Sequence, residues 1–95
     1  MIACGGKTFA TANFRERLSD QSQFFAWIDI HIDQAAAGTI YVGDHNVSSV
    51  AASRAGAPLS VTSSRGDVIR LTNVDLFEVW GSPTSAGDRL HWLGQ

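Results

Sequence analysis

The stretch Phe24-Phe25-Ala26-Trp27-Ile28-Asp29-Ile30-His31-Ile32-Asp33 decides the fold. Successive side chains of a β-strand point to opposite sides, so Phe24, Ala26, Ile28, Ile30 and Ile32 share one face. Phe25, Trp27, Asp29, His31 and Asp33 share the other. A helix would scatter the isoleucines around its circumference, and the β-branched and aromatic content suits a pleated surface. The isoleucine face is the expected core face. Two large aromatic side chains, Phe25 and Trp27, then stand opposite it, where they are not expected to remain in water. They mark a second buried layer, a ligand platform or, the reading preferred here, a subunit interface.

Working outward, further short strands are expected at Thr39–Val42, Leu59–Ser63, Val68–Thr72, Phe77–Trp80 and Arg89–Leu93, with an earlier one over Lys7–Asn13. Breakers separate them: Ala37-Gly38, Gly43-Asp44, Gly56-Ala57-Pro58, Arg65-Gly66-Asp67, Gly81-Ser82-Pro83 and Ala86-Gly87-Asp88. Arg15–Gln23 is the one helical candidate, and it is polar enough to be a loop. Many short strands punctuated by Gly, Pro and Asp argue for an all-β fold, a small antiparallel β-sandwich or jelly-roll-like barrel of about seven or eight strands.

A chain of 95 residues holds one core. Residues 21–95 form the expected sandwich, and residues 1–20 either an N-terminal arm or a first strand. Within that segment Phe9 and Phe14 are spaced apolar anchors for an arm that grips a neighbouring subunit. Seven Lys plus Arg against nine Asp plus Glu give a net charge of -2. That balance gives no electrostatic case for a nucleic-acid partner. The single cysteine, Cys4, cannot close an intrachain disulfide, so the fold must rest on its own core or on neighbouring subunits. No window approaches the length of a membrane helix. The first residues lack a basic then apolar signal pattern, which points to assembly in a cytoplasm.

Several motifs invite chemical readings. Asp29, His31 and Asp33 resemble metal ligands in type, but alternate strand residues lie roughly 6.6 Å apart, so the outer pair cannot share one ion. Asp44-His45 sits in a Gly-flanked turn and could supply the base of a hydrolytic site, yet no serine lies in a recognisable nucleophile setting. An Asx turn accounts for Asp44 more simply. Arg65-Gly66-Asp67 spells an integrin-type tripeptide but falls where a hairpin turn is expected, with Gly66 supplying positive φ. Asn46-Val47-Ser48 matches a glycosylation sequon without a secretory signal to accompany it. Trp27, Trp80 and Trp92 could form an aromatic platform for a sugar, with nearby Asp and His as hydrogen-bond partners.

An ordered succession runs through the second half: Thr39-Ile40-Tyr41-Val42-Gly43-Asp44-His45-Asn46-Val47-Ser48, Gly56-Ala57-Pro58-Leu59, Gly66-Asp67-Val68-Ile69-Arg70-Leu71, Val74-Asp75-Leu76-Phe77-Glu78-Val79-Trp80-Gly81-Ser82 and Gly87-Asp88-Arg89-Leu90-His91-Trp92-Leu93-Gly94. Over residues 24–94 this resembles small phage virion β-sandwich proteins, such as capsid decoration proteins and head-spike or fibre base proteins. The resemblance implies a non-enzymatic structural subunit, without catalytic residues, metal or cofactor. It also implies a homo-oligomer, a ring or trimer, attached to a major capsid or other virion protein. The interface expected from the residues is Phe25, Trp27, Phe9 and Phe14. The alternative is a carbohydrate-binding adhesion module built on Trp27 or Trp92.

Overall fold

The computed structural model describes residues 2–62 and 65–95. The chain is a β-sandwich of two four-stranded antiparallel sheets. The first sheet runs in the order β1 (Ala3–Thr8), β10 (Arg89–Gly94), β3 (Phe24–Ile32), β8 (Val68–Asp75). The second runs β2 (Glu16–Arg17), β9 (Trp80–Pro83), β4 (Ile40–Gly43), β5 (Ala57–Leu59), and β6 (Val61–Thr62) pairs with β7 (Arg65–Gly66) as a separate two-stranded ribbon. Short 3-10 turns occupy Ala51–Ser53 and Leu76–Glu78. The core between the sheets takes Ile28, Ile30 and Ile32 from β3, Leu90 and Trp92 from β10, Ile40 and Val42 from β4, and Leu76 and Val79 from the connection into β9.

The alternation of β3 holds from Ile28 to Ile32 and is broken on the N-terminal side of Ile28. Phe25 keeps only 2% of its surface exposed, whereas Phe24 keeps 66%. A β-bulge causes the reversal: the N–H groups of Ala26 and Trp27 both donate to the Gln95 carbonyl, at 2.9 and 3.3 Å, so two residues of β3 oppose the one residue that follows β10. On the other flank Asn73 of β8, opposite Ala26, takes a left-handed conformation with φ 51°. That conformation suits asparagine. Leu71 and Val74 consequently both pack toward the core, and β8 follows the shift of β3. Gly94 provides the space, since a Cβ there would sit 2.6 Å from Phe25 Cδ1. Phe25 is therefore a core residue, not an outward-facing interface residue.

The first twenty residues also differ from expectation. The opening strand is Ala3–Thr8 in place of Lys7–Asn13, and it pairs along its whole length with β10, from Ala3 opposite Gly94 to Thr8 opposite Arg89. Residues 3–8 are thus an integral strand of the first sheet. Phe9 leaves the end of β1 and enters the sandwich, fully buried, with its ring against Gly81 of β9, where a Cβ would come 2.6 Å from Phe9 Cζ. This placement removes Phe9 from the set of side chains a neighbour could reach. Glu16–Arg17, within the segment read as helix or loop, is β2.

Two later boundaries shift for local reasons. The strand expected over Phe77–Trp80 begins only at Trp80, because the Asp75 carboxylate accepts from the Phe77 N–H at 3.0 Å and caps a 3-10 turn there. Arg65-Gly66 belongs to β7 and does not form the turn, so the positions left for that turn, Ser63 and Ser64, lie outside the described residues. Gly66 is required by close approach, not by positive φ: a Cβ on it would meet the Ile32 carbonyl oxygen at 2.2 Å. Among the described residues the buried polar side-chain atoms are all paired. Asp88 accepts from the Ala37 and Gly38 N–H groups at 2.9 and 3.0 Å, and Ser49 Oγ lies 2.8 Å from Ser82 Oγ and 2.9 Å from the Pro83 carbonyl. These contacts tie the long connections to the second sheet.

Candidate interaction surface

The outer face of the first sheet gathers the side chains of β3, β8 and β10 that turn away from the core. Register places Trp27 beside Thr72, Asp29 between Leu93 and Arg70, and His31 between His91 and Val68. Arg70 grips Asp29 with two bonds, Nε to Oδ1 at 2.6 Å and Nη2 to Oδ2 at 2.9 Å. Its guanidinium carbon also lies 4.7 Å from the centre of the Trp27 ring. The bidentate bond holds the Asp29 carboxyl below its usual range and raises the Arg70 guanidinium above its own.

One row further along, His31 and His91 stack across the strand pair with ring centroids 5.2 Å apart and planes 22° from parallel. His91 Nε2 donates to Asp33 Oδ1 at 3.0 Å, and this bond is the first cause holding the Asp33 carboxyl below its usual range. Burial, and then the facing His91, pushes the His31 imidazole down. Arg89 reaches back over β1 to give Thr8 Oγ1 a 2.8 Å bond. Its guanidinium lies where a Cβ on Gly6 would be, 2.2 Å from Nη2, so the glycine opens the path for it.

Asp29 and Asp33 are therefore committed to different partners, and among the described residues no three His, Cys, Asp or Glu side chains converge as a metal site would need. Asp44 and His45 are exposed. Asp44 accepts from the Asn46 N–H at 2.9 Å through Oδ1 and from the Val47 N–H at 3.0 Å through its carbonyl, an Asx turn. Trp27 is half-buried on the outer face with Arg70 over its ring, and Trp92 points into the sandwich with 9% of its surface exposed. Phe14 is exposed and lies, with Val50, around a shallow depression beside the second sheet.

Of the four residues expected at an interface, Phe9 and Phe25 are in the core, while Trp27 and Phe14 remain accessible. The outer face is apolar for other reasons. Val68 and Leu93 stand 61% and 41% exposed on β8 and β10. Phe24, which the bulge turns outward, and Ile2, just before β1, extend the same face at one end. Strand alternation alone could have flagged Val68 and Leu93, since each sits out of phase with the core residues of its own strand. Arg70 and His91 carry no such signal, because only register brings them opposite Asp29 and His31. The chain matches no protein-family model, no curated protein and no solved structure.

Proposed function

We propose that the protein is a non-enzymatic structural subunit that acts by self-association through the outer face of its first sheet, as part of a phage-like virion. One observation carries the reading. Four of the six large hydrophobic side chains that stand exposed among the described residues, Ile2, Phe24, Val68 and Leu93, belong to that one face or its margin. The same face carries Trp27, an aromatic residue of the kind that anchors interfaces. The face carries both signs of charge, Asp29 and Asp33 with Arg70 and Arg89, so a second copy of the same surface is electrostatically compatible with it. The resemblance of residues 24–94 to small virion proteins supports the particle setting and a further contact with a capsid or other lattice protein.

Sedimentation velocity over a range of concentrations tests this directly. The wild-type chain should sediment as a closed oligomer. Trp27→Ala should weaken each contact by roughly thirtyfold, the scale of a lost hot spot of about 2 kcal/mol, with little change in the thermal melt. A wild-type chain that stays monomeric at every concentration would refute self-association, and a Trp27→Ala variant that assembles as well as the parent would remove this face from it.

A further inference from the structure

At the side of the sandwich where β1 and β2 are the free edges of their sheets, the two layers leave a cleft of about 680 Å³ between them. Its walls come from both layers: Lys7 of β1 and Trp92 of β10 on one side, Arg17 of β2 and Trp80 of β9 on the other, with Ser19 and Asp20 at the rim. A Lys7 to Glu16 ion pair at 3.2 Å ties the two edges together.

Arg17 is the distinctive group. Its guanidinium carbon lies 4.0 Å from the centre of the Phe77 ring and 4.6 Å from that of Trp80, so two aromatic faces hold it in place. The neighbouring geometry explains why. Arg17 is opposite Trp80 in the β2–β9 register, and the turn capped by Asp75 brings Phe77 to the same spot. Unlike Arg70, Arg17 forms no ion pair among the described residues, and Asp20, although it borders the cleft, does not reach it. A positioned guanidinium presents a planar fork of N–H donors suited to a carboxylate.

The rest of the lining narrows the ligand. Asp20 offers acceptors for hydroxyl groups, the Ser19 hydroxyl keeps one acceptor lone pair beside its bonds to the Gln21 N–H and carbonyl, and the indoles of Trp80 and Trp92 offer apolar surface, while the Lys7 ammonium is taken up by Glu16 and leaves Arg17 as the cation of the cleft. Asp20 disfavours a ligand that is acidic throughout. The cleft is within the roughly 300–1,000 Å³ of small-ligand sites. We infer that this cleft binds an acidic saccharide of the uronic acid type, with its carboxylate on Arg17 and its hydroxyls toward Ser19 and Asp20. The inference is independent of self-association, since none of these side chains belongs to the outer face of the first sheet.

Titration of the isotope-labelled full chain by NMR tests it with four probes: D-glucuronate, D-glucose, acetate and N-acetyl-glutamate amide. Glucuronate should shift the Arg17 Nε–H and the Trp80 and Trp92 indole N–H signals. Glucose and acetate should each bind at least about tenfold more weakly, as should glucuronate to the Arg17→Gln variant, the scale of one lost charge-assisted hydrogen bond. Arg17 is exposed, so the variant is expected to keep the parent's spectrum elsewhere. Equal binding of glucose would overturn carboxylate recognition. Equal binding of acetate would overturn saccharide recognition, and tighter binding of the glutamate amide would reassign the cleft to an acidic peptide. No shift with any probe, or full binding by Arg17→Gln, would overturn the site.

Discussion

Replacing Phe25 and Phe24 separately by alanine gives opposite expectations from the bulge and from uninterrupted alternation. Phe25 is 2% exposed and its ring fills the space left by Gly94, whereas Phe24 is 66% exposed. Truncating a buried phenylalanine costs about 3–5 kcal/mol through lost transfer energy and the cavity left behind. In a domain of this size each kcal/mol moves the melting temperature by about 4–8 °C, so Phe25→Ala should lower it by at least about 12 °C. Such a loss is a large part of the roughly 5–15 kcal/mol that holds a typical domain folded. Phe24→Ala should stay within about 0.5 kcal/mol of the parent, as surface substitutions do. Circular dichroism melts of the two variants beside the wild type provide the comparison. A large loss in Phe24→Ala with a near-normal Phe25→Ala would restore the simple alternation, and comparable large losses in both would show that neither ring has left the core.

Acid should destabilise the fold in two stages. The His31 imidazole is held below its ordinary 6.5, so the unfolded chain takes up that proton first and stability falls as the pH drops below about 6.5, levelling once the folded imidazole is also protonated. Asp29, Asp33 and Asp75 are held below their ordinary 3.8, so what they contribute is intact above that value and is lost as pH falls through their lower folded values. Urea midpoints measured against pH should show both stages, and His31→Gln should remove the first alone; a single transition near pH 4 in the wild type would contradict this. Asp88→Ala should cost about 1–3 kcal/mol for each of the Ala37 and Gly38 N–H groups left without an acceptor, and an unchanged urea midpoint would show that water replaces the carboxylate without loss.

The β-sandwich itself was legible in the sequence because strand periodicity is a local property. The isoleucines of Phe24–Ile32 and the Gly, Pro and Asp breakers state the period and its interruptions without reference to any neighbour. Only tertiary structure decided which way the phenylalanines face. The bulge at Ala26 and Trp27 depends on the Gln95 carbonyl that follows one adjacent strand and on the left-handed Asn73 of the other, some seventy and fifty residues away in sequence. The same holds for Phe9, whose polar neighbours suggested an arm, yet whose ring is received by Gly81 of the opposite sheet. The candidate surfaces divide in the same way. Asp29 and His31 announced a polar strand face, but the partners that occupy them, Arg70 and His91, were set by register. Arg17 lies on a two-residue strand too short to show any period, and acquires its place only where Phe77 and Trp80 close around it. Alternation is written along one chain segment; a bulge, a register and a cleft are agreements between segments, and they come into being only when the sheets pack.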